Sequence, residues 1–404
     1  MRFVHSYGTI TYTSRMERIL TLLGERSAET FLRDYWQKRP LLIRGALPDI
    51  QTPISPDELA GLSCEEEVES RLILEHAGPT PWHVEHGPLE EDRFSDLPDT
   101  HWTLLVQGCN RYVPELADLL DQFSFIPSWR VDDVMASYAA PQGSVGPHTD
   151  QYDVFLIQAY GTRRWQISEA PVDKTNQLPG LDLCIMRDFT ATDEWIVQPG
   201  DMLYLPPGVA HHGVALEDCI TLSVGFRAPS HAELLTGFAD HMAAQLDPSQ
   251  RYCDPDLALQ EHTGEISSEA LRQVRQILRA CLEDDELIDH WFGEFITEAK
   301  NAAPVEAIND PISTPQFLQD FEQTGVLYRN PDLRFAFTRQ HDGTTLYIDG
   351  HAYRLNAELA FAANLLCNHR QLSFEQLQIA LAQTSFANFL TLLYNQSYVY
   401  FEYV

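Results

Sequence analysis

Between residues 131 and 228 short apolar runs are punctuated by glycine and proline, a pattern that predicts β-structure. The predicted strands are Asp133–Ala139, Val154–Tyr160, Arg164–Ser168, Trp195–Val197, Met202–Leu205 and Ile220–Phe226. Strands this short and this closely spaced point to a sandwich or barrel rather than a doubly wound sheet. Upstream, Ser27–Arg39 predicts a helix closed by Pro40 and followed by an extended Leu41–Ile43. From 50 to 130 short apolar runs alternate with acidic turns such as Glu65–Glu67 and Glu90–Asp92.

After Ala228-Pro229 the period changes. Leu234, Leu235, Phe238, Met242 and Leu246 follow helical spacing, as do Leu271, Val274, Ile277, Leu278 and Cys281. Pro304 and the segment Pro311–Pro315 mark a linker. Beyond it the pattern predicts a helix over 316–323 and strands over 326–328, 333–338 and 345–348, with a turn at His341-Asp342-Gly343. Helices over 357–367, 373–382 and 386–395 follow, and a last strand spans Tyr398–Val404. Helices flanked by hairpin strands make a winged-helix pattern. The expected organisation is a β-rich domain over 1–229, a helical region over 230–305 and a winged-helix-like domain over 311–404.

Composition narrows the function classes. The chain has 59 acidic and 27 basic residues, a formal net charge of −32. Such a surface repels phosphate backbones and anionic membranes and steers basic partners toward it, although solubility or salt adaptation gives the same charge. The segment 311–404 carries five arginines, no lysine and eight acids, so the winged-helix pattern reads as a scaffold rather than a DNA reader. No run of eighteen apolar residues predicts a membrane span, and Met1–Tyr7 lacks the apolar core of a secretion signal. The seven cysteines (Cys64, Cys109, Cys184, Cys219, Cys253, Cys281 and Cys367) form no Cys-x-x-Cys pair, which fits reduced thiols in a cytoplasmic protein.

The chemistry-bearing stretch is Gly146–Asp153. On a strand, residues two apart share a face, so His148 and Asp150 can aim an imidazole and a carboxylate at one point. A second segment, Pro199–Gly213, carries a Pro-Pro-Gly turn followed by His211 and His212. Adjacent strand residues point oppositely, so one of that pair at most joins a shared centre. Two histidines and one carboxylate leave three positions open on an octahedral metal, the arrangement of non-haem Fe(II) oxygenases. The turn Gly161-Thr162 then places Arg163 and Trp165 on one face and Arg164 on the other, making Arg163 a candidate carboxylate clamp.

At these residues the sequence resembles the JmjC, cupin-fold oxygenases, and within them the bacterial ribosomal oxygenases that hydroxylate an arginine of a large-subunit ribosomal protein. The resemblance extends through Tyr35–Pro40, Ile54–Leu62, Gly146–Asp153, Arg163–Trp165, Ser223–Pro229 and Trp291–Phe295. It implies a double-stranded β-helix barrel, a helical dimerisation region and a winged-helix-like C-terminal domain without DNA-binding function. It places Fe(II) on His148, Asp150 and His211, the distal carboxylate of 2-oxoglutarate on Arg163, and a further cosubstrate contact on Ser137, with dioxygen as the second cosubstrate. One departure from the family lies at Ala140 and Gln142 around Pro141, where more glycine is expected. The implied activity is hydroxylation of an arginine β-carbon in a basic ribosomal protein by a homodimer. The alternatives are the same chemistry on a histidine of another protein, or a cupin that binds without turnover.

Overall fold

The computed structural model describes residues 19–75, 81–170, 175–181, 183–299, 305–341 and 343–402. Expectations at Met1–Tyr7, Pro304, Asp342 and residues 403–404 lie outside these. The chain forms two compact units, Met1–Ala228 and Pro229–Val404.

The first unit opens with a small ribbon of β1 (Ile19–Leu20) and β2 (Arg26–Ser27). Its remaining strands are β3 (Leu41–Ile43), β4 (Ser70–Glu75), β5 (Trp82–His86), β6 (Trp102–Val106), β7 (Val131–Ala139), β8 (His148–Thr149), β9 (Asp153–Tyr160), β10 (Arg163–Ser168), β11 (Asp193–Val197), β12 (Met202–Leu205), β13 (Ala210–Ala215) and β14 (Cys219–Phe226). They pair antiparallel into an eight-stranded sheet, β3-β12-β9-β14-β7-β6-β4-β5, and a four-stranded sheet, β11-β10-β13-β8. The chain passes repeatedly from one sheet to the other, as in a double-stranded β-helix.

The large sheet is buried on both faces, which is why β9 reads as a nearly continuous apolar run. One face, with Phe155, Ile157, Tyr204, Leu222 and Val224, packs against Phe31, Leu59 and Leu116 from flanking helices and against Phe123 from the turn after the last of them. The other, with Val154, Leu156, Leu203 and Leu205, meets Trp165, Ile167 and Val197 of the small sheet. The segment 50–130 supplies β4, β5 and β6 to the large sheet and the helices Pro56–Leu62 and Pro114–Asp121 that cover it.

The first helix is shorter than its pattern predicts. It spans Ala28–Asp34, with Ser27 accepting from the Thr30 N–H as its N-cap. The chain then leaves the helix, and Gln37 adopts φ +56°. There the Gln37 N–H donates to Tyr204 Oη at 2.8 Å and its amide donates to Asp153 at 2.9 Å. These long-range bonds outweigh the local preference for another helical turn.

The second unit holds helices His231–Gln245, Ser268–Ala280, Asp285–Thr297, Thr314–Thr324, Ala360–Asn368, Phe374–Leu381 and Thr384–Asn395. Strands β15 (Val326–Arg329), β16 (Phe335–Gln340), β17 (Gly343–Ile348), β18 (His351–Leu355), β19 (Gln371–Ser373) and β20 (Val399–Tyr400) form the sheets β19-β15-β20 and β16-β17-β18. Strand β18 has no counterpart in the predicted pattern, because Ala352, Tyr353 and Arg354 interrupt its alternation. The core gathers Phe317, Phe321, Leu327, Leu346, Phe386 and Leu390. Helix Asp285–Thr297 lies so close to β17 that a Cβ on Gly293 would stand 2.3 Å from the Tyr347 ring. Helix Ser268–Ala280 buries none of its side chains.

Candidate active site

Strand β8 is two residues long and pairs with β13, so that His148 and His211 are direct register partners. Asp150 follows just beyond the end of β8, and its carbonyl accepts the Gly208 N–H at 2.7 Å. The Pro-Pro-Gly turn is thereby bonded to the first ligand segment, and Gly208 supplies the φ of +81° that this turn requires. Gly146, at φ +78°, lies where a Cβ would come within 2.9 Å of Ile185.

The donor atoms of His148, Asp150 and His211 all fall within 4.8 Å of one another. His211 Nε2 is 3.5 Å from Asp150 Oδ2, His148 Nε2 is 3.9 Å from Asp150 Oδ1, and the two imidazole centroids are 4.2 Å apart. Each ring is also held from behind. His148 Nδ1 lies 2.9 Å from the Gly146 carbonyl and His211 Nδ1 lies 3.0 Å from the Val209 carbonyl. Protons on both Nδ1 atoms leave both Nε2 lone pairs aimed at the carboxylate, the arrangement that orients histidine ligands. Burial, reinforced by the neighbouring His148, pushes the His211 pKa down to about 4, so this ring is neutral at pH 7. The donor set suits a divalent transition metal with open coordination positions.

His212 turns to the opposite face. It pairs with Gln166, and its ring meets Phe189 at 6.0 Å. Of the pair that strand alternation left open, His211 is the one whose ring lies beside His148 and Asp150.

From the ligand cluster a row of side chains runs along the inner face of the small sheet. Trp165 stands 5.8 Å from the His211 ring, and the Arg163 guanidinium lies 5.5 Å over the Trp165 ring. Arg163 is 5% exposed, and its Nε has no hydrogen-bond partner among the described residues. A buried donor without a partner is costly, so this position fits an anionic ligand well. Gly213 faces Trp165 across the β10–β13 ladder, and a Cβ there would stand 2.6 Å from the indole ring.

Ser137 lies in β7, buried, with its hydroxyl donating to the Thr221 carbonyl at 3.3 Å. It is level with two polar groups that the sequence pattern does not single out as site residues, Thr221 on β14 and Gln158 on β9. The Thr221 hydroxyl donates to Gln158 Oε1 at 3.1 Å. Each of these residues interrupts an apolar strand, the one signal that marks them. The loop departure sits at a special backbone position, since Gln142 adopts φ +64°, where glycine is the easier residue.

Near the His148–Asp150–His211 group the Tyr152 hydroxyl is pushed to a higher pKa by burial and by the charges of Asp150 and Asp133. Asp133 is itself pushed up to about 6 by burial and by Asp132, against a hydrogen bond from the Gly108 N–H at 2.7 Å.

A JmjC-domain profile matches residues 118–234, and a ROXA-like winged-helix profile matches residues 280–400. The chain is 36% identical over 372 residues to the ribosomal protein uL16 3-hydroxylase of Escherichia coli K12, covering 92% of this chain and 97% of that protein. The chain belongs to the ribosomal oxygenase family. Within this family it is also 35% identical over 330 residues to a probable ribosomal oxygenase of Haemophilus influenzae, covering 80% and 81% of the two chains. The crystal structure of the Escherichia coli ribosomal oxygenase YcfD with cobalt and 2-oxoglutarate superposes with a TM-score of 0.79 at 35% identity, covering 93% of this chain and 98% of that one. The fold is accordingly the JmjC barrel with a winged-helix-like C-terminal part. Among the described residues no helix is long and apolar enough to cross a membrane.

Proposed function

We propose that this protein is an Fe(II)- and 2-oxoglutarate-dependent oxygenase that hydroxylates the β-carbon of an arginine in ribosomal protein uL16. The observation that carries this reading is the convergence of His148, Asp150 and His211 with both Nδ1 atoms tied to backbone carbonyls. It occurs in a chain that aligns with nearly the whole of a uL16 3-hydroxylase.

His148, Asp150 and His211 would hold the iron. When bound, the metal supplies dioxygen activation coupled to oxidative decarboxylation of 2-oxoglutarate. The protein's own part is placement. Arg163 pairs with the distal carboxylate of the cosubstrate, which satisfies an Nε that has no partner among the described residues. Ser137 offers a hydroxyl from the opposite sheet. Trp165, buried between Arg163 and His211, would give the cosubstrate an apolar wall on that face.

The charge distribution supports a basic substrate. A net charge of −32 steers a strongly basic ribosomal protein toward the enzyme. Closer in, Asp150, Asp133 and Asp132 act on Tyr152 against the single cation Arg71, a net acidic environment that favours a guanidinium over an anionic side chain.

The helical region, assigned to 230–305 and preceding a winged-helix-like domain at 311–404, is read as the dimerisation element. Helix Ser268–Ala280 leaves Leu271, Val274, Ile277 and Leu278 exposed by 42–62%, a stripe that a second copy would cover. A site on a ribosomal protein, together with seven free cysteines, fits a cytoplasmic location.

The test is mass spectrometry of purified uL16 incubated with the protein, Fe(II), 2-oxoglutarate and air. The expected result is one added oxygen, about 16 Da, on a single arginine, with succinate formed in step. An unmodified uL16 removes this substrate, and oxygen located on a histidine replaces arginine hydroxylation with the alternative chemistry.

A further inference from the structure

Arg163 Nε makes no hydrogen bond among the described residues, so the guanidinium is placed by its stacking on Trp165 and by the backbone that launches it. That backbone is a two-residue crossing, Gly161-Thr162, from β9 of the large sheet to β10 of the small one. Just before the crossing the β9–β14 ladder is irregular. Thr221 pairs with Gln158 and Ile220 with Tyr160, leaving Ala159 as an extra residue. A bulge of this kind bends the strand and re-aims the residues after it, and it needs its loosened backbone groups satisfied.

Gln158 does this from inside the barrel. Its side chain is 1% exposed. Nε2 donates to the Tyr160 carbonyl at 2.8 Å and to the Gly161 carbonyl at 3.2 Å, while Oε1 accepts the Thr221 hydroxyl at 3.1 Å. One carboxamide therefore ties Tyr160 and Gly161, at the start of the crossing, to the adjacent strand. The crossing is also confined from outside, because a Cβ on Gly161, at φ +63°, would stand 2.0 Å from the Asp218 carbonyl. Outside contact limits how far the turn can move outward; Gln158 and Thr221 limit it inward.

We infer that Gln158, braced by Thr221, is the positioning residue that fixes Arg163 for the distal carboxylate of 2-oxoglutarate. The inference rests on the assignment of Arg163 as that carboxylate's partner. Neither Gln158 nor Thr221 needs to touch the cosubstrate for this role. Loss of the brace lets the turn, and with it the guanidinium, sample several positions, which weakens binding of the cosubstrate. Chemistry at the metal is unaffected once the cosubstrate is bound.

The experiment titrates 2-oxoglutarate anaerobically into manganese-loaded protein by calorimetry and measures its KM and kcat in the iron-loaded enzyme. Thr221→Val, which keeps shape and removes the brace, is expected to raise Kd and KM by about three- to tenfold, the loss of one net hydrogen bond. kcat at saturation and manganese affinity stay within about twofold, a split that general destabilisation does not produce. Gln158→Met is expected to weaken binding further, and Thr221→Ser to restore it. Arg163→Met runs alongside as the reference. If Arg163→Met weakens binding and Thr221→Val does not, the positioning role is overturned and the clamp stands. If Arg163→Met has no effect, the clamp assignment itself fails. Should Gln158→Met not fold, the Thr221→Val and Thr221→Ser pair decides the matter alone.

Discussion

Asp153 begins β9 three residues after the candidate ligand Asp150, and its carboxylate is fully buried. It accepts from Tyr204 Oη at 2.6 Å and from Gln37 Nε2 at 2.9 Å, and it lies 3.4 Å from Arg130 Nη2. Replacement by asparagine preserves size and removes charge. If the amide oxygen stays on Tyr204, the new NH2 faces two other donors; flipped, it leaves the tyrosine hydroxyl proton without an acceptor. Each hydrogen bond to a charged group contributes about 1.5–3 kcal/mol, and stranding a buried charge costs about 3–5 kcal/mol. Arg130 keeps the Arg227 carbonyl as an acceptor at 2.6 Å, and its side chain is 16% exposed, so the low end of that range applies. The expected loss for Asp153→Asn is about 3 kcal/mol. In a unit of this size each kcal/mol moves Tm by about 2–4 °C, so the transition falls by about 6–12 °C. Differential scanning calorimetry of the intact protein, with urea unfolding followed by tryptophan fluorescence, measures both. An Asp153→Asn protein with an unchanged transition would refute the reasoning, because the buried carboxylate would then contribute nothing that a neutral amide cannot.

Three further outcomes are expected from the site and the second unit. His211→Ala and Asp150→Ala are expected to abolish stoichiometric Co(II) binding, followed by visible absorption, whereas His212→Ala keeps it; loss of binding in His212→Ala alone would move the ligand. Asp133 is held at about 6 when folded, against 3.8 as its ordinary value, so the stability it allows is full below pH 4 and lost as pH rises through 6. Asp133→Asn, whose amide oxygen can still accept the Gly108 N–H, should therefore match wild type near pH 4 and resist urea better at pH 8; equal midpoints at pH 8 would contradict it. On the reading of helix Ser268–Ala280 as the dimer contact, the wild type is expected to sediment as a dimer and Ile277→Glu with Leu278→Lys as a monomer with unchanged far-UV circular dichroism; equal sedimentation of the two would remove this helix from that role.

Much of the site was legible because strand geometry is local. Alternation alone put Arg163 and Trp165 on one face and allowed only one of His211 and His212 inward. Turn chemistry marked Pro206-Pro207-Gly208. Met202–Leu205 matches its predicted bounds, and the other predicted barrel strands start one or two residues earlier, at Val131, Asp153, Arg163, Asp193 and Cys219. The hidden part depends on pairing between distant strands. Gln158 reads as a polar break in an apolar run until the β9–β14 bulge gives its amide two carbonyls and a hydroxyl. Helix Ala28–Asp34 ends early because Gln37 bonds Tyr204 and Asp153, residues more than one hundred positions away that no local pattern reports. Strands β4 and β6 of the 50–130 segment were obscured because they lie in a sheet covered on both faces, so nearly every position is buried and the alternation is lost.

The pairing of His148 with His211 has a consequence for how errors in this barrel are detected. If β13 slipped by one residue, His212 would take the place of His211 and turn inward, since a one-residue shift exchanges the faces of a strand. The metal would meet an imidazole either way and could not tell the two alignments apart. Trp165 could. In the slipped alignment Val214 replaces Gly213 against an indole that already leaves a Cβ only 2.6 Å. Proofreading of the ligand set is therefore done by a glycine and a tryptophan that bind no metal, and the misaligned chain is rejected by steric conflict before any cofactor arrives.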